Sequence, residues 1–102
     1  MFKYLATKLT AGTCKKGSKW SGWISRDLPT GNEDNEEFKN QNLPCSKPTE
    51  LQVREVKGNG LMLTKQNVVF SLLTGFKCVN AHNFGGCQDY EIRVCCSKEK
   101  GT

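Results

Sequence analysis

The chain has 102 residues, six cysteines and a formal net charge of +5. That length holds one small domain, which buries roughly 60–65% of its surface. Its apolar content of 36% lies below the roughly 45% of a typical globular chain, a reference that also counts glycine. These values argue against a large enzyme core, a dinucleotide-binding domain or a solenoid, and no stretch approaches the ~18 apolar residues that span a bilayer.

The six cysteines (Cys14, Cys45, Cys78, Cys87, Cys95 and Cys96) read as a disulfide framework of a secreted, extracellular protein, since there is no Cys-x-x-Cys and His82 is the one histidine. The charges are segregated. Lys3, Lys8, Lys15, Lys16, Lys19 and Arg26 precede the first acid, and Asp27, Glu33, Asp34, Glu36 and Glu37 then follow without a base. An acidic block interrupting the basic run argues against a nucleic-acid binder and for solvated charge on a secreted module. The start, Met1–Leu9, has no apolar run of signal-peptide length. The expectation is a piece of a longer secreted protein, or a mature form with an added Met1.

In chain order, residues 1–13 read as a flanking segment or linker. Gly17, Gly22, Pro29 and Gly31 then predict long irregular loops. Residues 33–42 predict a short helix, capped by Asn32 or Asp34, with acids in its first turn and Phe38 as its single apolar anchor. Pro44 and Pro48 punctuate a loop around Cys45. Residues 51–56 alternate weakly with a period of two, and Gly58-Asn59-Gly60 before Leu61-Met62-Leu63 is a hairpin signal. Val68–Leu73 is a buried-strand candidate, Phe76 and Cys78 continue after Gly75, and Tyr90–Cys96 is the clearest strand. The expected fold is all-β: a small disulfide-stapled, β-sandwich-like domain with a short helix and long irregular N-terminal loops. Residues 14–96 form that domain, and 97–102 a flexible tail.

Three constellations could carry chemistry. Catalysis would have to use His82, in a glycine-rich loop, or carboxylates crowded in one solvated segment rather than across a cleft; no enzyme is expected. Asp27, Asn32, Asp34 and Glu36 offer oxygen ligands to calcium, though not at EF-hand spacing, and the spacing alone favours a solvated acidic loop. Trp20-Ser21-Gly22-Trp23 suits core anchors, a sugar-stacking platform or a modification site.

In order along the chain, Cys14, Trp20-Ser-Gly-Trp23, Ile24-Ser-Arg-Asp27-Leu-Pro29, Asp34-Asn-Glu36-Glu-Phe38, Cys45-Ser-Lys-Pro48, Gly75-Phe-Lys-Cys78-Val-Asn80 and Cys87-Gln-Asp-Tyr90-Glu-Ile-Arg93-Val-Cys95-Cys96 resemble the WxxW, or CysD, domain of gel-forming mucins and cartilage intermediate layer protein. The resemblance covers about residues 14–96. It implies a non-enzymatic module of a secreted mucin-like or matrix glycoprotein that associates weakly with itself or like domains, or with other matrix and mucin glycoproteins. It also implies calcium bound by Asp27, Asp34 and Glu36, with Asn32 and Asn80 as weaker ligands, and C-mannosylation of Trp20. Mucin members carry two further cysteines where this chain has Val53 and Phe70, so these are expected as an apolar contact between neighbouring strands. Cys78 and Cys87 flank a short loop and are expected to pair. Cys95 and Cys96 point to opposite faces of one strand and need different partners, leaving Cys14 and Cys45. The competing readings are a lectin-like module using Trp20, Trp23 and Tyr90, and a cationic protein acting on anionic membranes.

Overall fold

The computed structural model describes residues 7–25, 33–38, 43–58 and 60–97. Within them the chain forms nine strands: β1 (Thr7–Lys8), β2 (Thr10–Gly12), β3 (Lys19–Trp20), β4 (Glu33–Glu37), β5 (Glu50–Glu55), β6 (Leu63–Thr64), β7 (Val68–Ser71), β8 (Gly75–Val79) and β9 (Tyr90–Cys96). All pairing is antiparallel. A four-stranded sheet runs β2-β5-β9-β3, a three-stranded sheet β4-β8-β7, and β1 pairs with β6. The fold is the expected small all-β domain, with a 3₁₀ turn at Asn80–His82 after β8.

The central pair is β5 with β9. Leu51 faces Val94 and Val53 faces Ile92, and all four are fully buried. The intervening residues Gln52, Arg54, Glu91 and Arg93 point to the other side, as a period-two pattern requires. From the second sheet, Phe76 and Cys78 bring β8 into the same core, and the Phe76 ring lies 4.6 Å from that of Tyr90.

Three bridges staple this core: Cys14–Cys95, Cys45–Cys96 and Cys78–Cys87. The pairing follows the expected logic, with Cys78–Cys87 local and the adjacent Cys95 and Cys96 taking different partners. Closing loops of 81 and 51 residues, the two long bridges each stabilise by about 4 kcal/mol in the chain-entropy model.

Four expectations need correction. Residues 33–37 of the expected helix form a strand, paired along its whole length with β8 from Glu33↔Val79 to Glu37↔Gly75. Long-range pairing outweighs the local preference of an acidic, Asn-rich segment. The close approach at its end is possible because Gly75, at φ 99°, has no Cβ; one would sit 2.7 Å from the Glu36 carbonyl oxygen.

The hairpin around Gly58–Gly60 does not close as a ladder. β5 pairs with β2 and β6 with β1, so the N-terminal segment lies between them. Leu9 donates its N–H to the Met62 carbonyl and accepts from the Val53 N–H, both at 2.9 Å. Residues 7–12, set aside as flank, are thus part of the domain, and Leu9 is fully buried in the core.

Val53 and Phe70 are not on neighbouring strands. They lie on β5 and β7 of different sheets, although Phe70 packs against the cluster that contains Val53.

Leu9→Ala tests the role of the N-terminal segment. It should lower unfolding free energy by about 2–5 kcal/mol, as buried leucines do, with an unchanged urea m-value. A loss under half a kcal/mol would return residues 7–12 to the status of a linker.

Candidate functional site

The Trp20–Trp23 motif lies along the free side of β9. Lys19 and Trp20 pair with Cys96 and Cys95, and Ile24 bridges to Ile92. Four steps on this strand therefore match three on β9, which is a bulge at Ser21-Gly22-Trp23. Ser21 repairs the ladder there: its N–H donates to the Val94 carbonyl at 2.8 Å, and its Oγ accepts the Val94 N–H at 3.0 Å. The extra residue resets the alternation. Trp20 and Trp23 both reach the outer face, while Ile24 packs against the core.

On that face the indoles alternate with guanidinium groups. Arg54 lies 3.9 Å from the Trp23 ring centre, and Arg93 lies 4.9 Å from Trp23 and 4.2 Å from Trp20. Each stack contributes on the order of 0.5–1 kcal/mol at a partly exposed site. The guanidiniums are fixed from below: Arg54 Nε donates to Glu91 Oε2 at 2.6 Å and Arg93 Nε to Gln52 Oε1 at 2.8 Å. The tryptophans are half-buried, clasped over polar side chains rather than sunk into the core as anchors. These guanidiniums also occupy ring faces that a sugar platform would need, and the third residue of the lectin reading, Tyr90, is fully buried. The arginines were not among the sequence-level candidates. Their signal was their position on the outward phase of two alternating strands.

The second feature is acidic. On β4, Asp34 and Glu36 are two residues apart and share the face that carries Cys78 and Phe76 on β8. Both are fully buried. The Tyr90 N–H donates to Asp34 Oδ2 at 2.6 Å. Asn80, close in chain to the β8 end, accepts the Cys87 N–H on Oδ1 at 2.8 Å, fastening the glycine-rich loop. Asp27 and Asn32 lie outside the described residues, and no group of three or more His, Cys, Asp or Glu gathers among the described ones. Asp34 and Glu36 are thus the two predicted ligands that the structure brings onto one buried face.

A family model described as the Mucin-2 protein WxxW repeating region matches residues 20–96. The chain belongs to the mucin WxxW family. Mucin-2 of Homo sapiens is 34% identical over 84 residues, covering 76% of this chain but 2% of Mucin-2. The chain thus spans a small part of that relative, and it is a mucin-type extracellular domain.

In this WxxW domain all six cysteines are bridged, so none offers a nucleophilic thiol, and His82 is exposed in the loop. No described helix is long and apolar enough to cross a membrane. Tyr90 is the junction of the two sheets. Its hydroxyl donates to Gln66 Oε1 at 2.7 Å and lies 2.7 Å from Thr64 Oγ1. Burial, partly offset by the Thr64 hydrogen bond and helped by the charges of Glu55 and Asp34, pushes the Tyr90 phenol up to about 12.

A raised folded value means that Tyr90 contributes stability fully below its unfolded value, near 10, and loses it as pH rises through the folded one. Stability should therefore fall between about pH 10 and 12. The phenolate absorbance of Tyr90 should appear only with that loss. Tyr90→Phe should flatten the decline. A Tyr90 phenolate that forms near pH 10 in the folded protein would contradict the assignment.

Proposed function

We propose that this domain is a non-enzymatic structural module of a secreted mucin-like or matrix glycoprotein, which binds calcium and associates weakly with its own kind or with other such glycoproteins. The observation that carries the reading is the pair of fully buried carboxylates, Asp34 and Glu36, on one face of β4. Carboxylate oxygens are the hard ligands that calcium takes. The ligand set of the proposal is Asp34 and Glu36 from the strand, Asp27 and Asn32 from the segment before it, and Asn80. The stapled core and the family membership support a secreted setting.

Saturating calcium should raise the melting temperature. A native-state ligand at a hundredfold excess over its Kd adds roughly 2.7 kcal/mol, and each kcal/mol moves a domain of this size by about 4–8 °C. Glu36→Gln should abolish the shift while the domain still folds. Calorimetric titration with millimolar calcium that yields neither heat nor a shift would remove calcium from the reading and leave the structural module.

Association is supported by exposed apolar side chains beside β7, the last strand of its sheet in the order β4-β8-β7. Val69 is 61% exposed, Leu73 in the following turn 78%, and Phe84 fully exposed. The loop that carries Phe84 is tied to the start of this strand, because Asn83 Oδ1 accepts the Asn67 N–H at 2.7 Å. Sedimentation should show reversible self-association that Phe84→Asp weakens. Identical concentration dependence in both proteins would take Phe84 out of the surface. Trp20, held at the outer face by Arg93, is the proposed C-mannosylation acceptor, and intact mass of the secreted native protein should carry one added hexose.

A further inference from the structure

The charges that are segregated along the sequence are segregated again in space. Among the acidic side chains whose burial is described, Asp34, Glu36 and Glu50 are buried, and Glu37, Glu55, Asp89 and Glu91 are half-buried; none is exposed. Lys8, Lys15, Lys16, Lys19, Lys47, Lys57 and Lys65 are all exposed, and Lys77 is half-buried. The described surface is therefore more basic than the balance of charges conveys.

Four of these lysines gather at the end of β9. Lys19 pairs directly with Cys96. Lys15 and Lys16 follow Cys14, whose Cα is 5.6 Å from that of Cys95. Lys47 is two residues beyond Cys45, whose Cα is 6.0 Å from that of Cys96. At about 3.8 Å per chain step, all four Cα atoms lie within roughly 14 Å of the Cys95–Cys96 pair. The turn that presents the first two is closed by the Ser18 N–H donating to the Lys15 carbonyl at 3.0 Å. None of the four forms an ion pair with a described residue.

We propose that this doubly bridged, lysine-bearing end binds a sulfated polysaccharide. Ammonium groups on flexible stems are compact point charges without a preferred docking plane. A sulfated chain presents permanent anions at repeated spacing, and four unneutralised cations on one covalently rigid end raise its local concentration. A single-stranded nucleic acid would in addition need aromatic faces on which to stack bases, and at this end the indoles of Trp20 and Trp23 are stacked with Arg93 and Arg54 instead.

Heparin affinity measured with a chelator present keeps calcium bridging out of the result. Wild-type protein should be retained and then released by salt, and chemically desulfated heparin should not compete. The double variant Lys16→Gln/Lys47→Gln should bind at least about tenfold more weakly. A control of equal charge, Lys57→Gln/Lys65→Gln at the far end of β5, should stay within about twofold of wild type. Equal weakening by the two pairs, competition by desulfated heparin, or tighter binding to phosphatidylserine vesicles or single-stranded DNA than to heparin would each overturn the proposal.

Discussion

Two adjacent cysteines at the end of β9 hold the halves of this domain together. Because neighbouring side chains on a strand point to opposite faces, Cys95 and Cys96 cannot serve the same neighbour. One captures Cys14 and the other Cys45, so two irregular segments from the N-terminal half are pinned to one strand end from both sides. The rest of β9 is equally committed. β5 pairs along one side, and the Lys19–Ile24 segment along the other. At its first residue, Tyr90 binds Asp34 through its backbone and touches Phe76 through its ring, which fastens the second sheet. A chain with so little apolar content reaches a single structure because its contacts converge on one seven-residue strand.

The WxxW spacing acquires a physical meaning from that strand. Without the bulge, Trp20 and Trp23 would alternate to opposite faces and one would compete for core space with Ile92. Ser21 can lend its Oγ to the Val94 N–H, and Gly22, with no side chain to place, eases the extra step. Both indoles then stand over Arg93 and Arg54. Their rings shield guanidiniums that are already bonded to Gln52 and Glu91, so the outer face of the sheet is rigid and chemically saturated. Such a face suits a structural spacer better than a site that must open for a ligand.

Much of this was legible in the sequence, and the failures share a cause. Strands β5 and β9 follow period-two patterns in which apolar residues alternate with polar ones, β7 lies in the apolar run Val68–Leu73, β8 shows as Phe76 and Cys78 after Gly75, and the spacing of Cys78 and Cys87 and the adjacency of Cys95 and Cys96 narrow the bridges. Strand β4 was illegible because its inward positions are Asp34 and Glu36: a pattern reader assigns buried phases to apolar residues, and a run of acids reads as a capped helix or a solvated loop. The N-terminal strands were missed because Leu9 is the one large apolar residue of Thr7–Gly12, and its burial depends on the gap between Val53 and Met62. The Trp20–Trp23 pair was visible, but its partners come from strands more than thirty residues away, a pairing that local spacing cannot encode.

The acidic block and the basic surface are two sides of one arrangement. When β4 turned its carboxylates toward the core, it withdrew from the surface charges that would otherwise neutralise the surrounding lysines. Burial takes those carboxylates away from the surface, while the ammonium groups of Lys15, Lys16, Lys19 and Lys47 stay exposed to water. Charge interactions among buried groups are little affected by salt, whereas those of exposed groups are screened within about 10 Å at moderate ionic strength. A module built this way can hold its own structure under conditions that loosen its contacts with a polyanionic surrounding. The net charge of +5 therefore understates how basic the described surface is, since it counts buried and exposed groups alike.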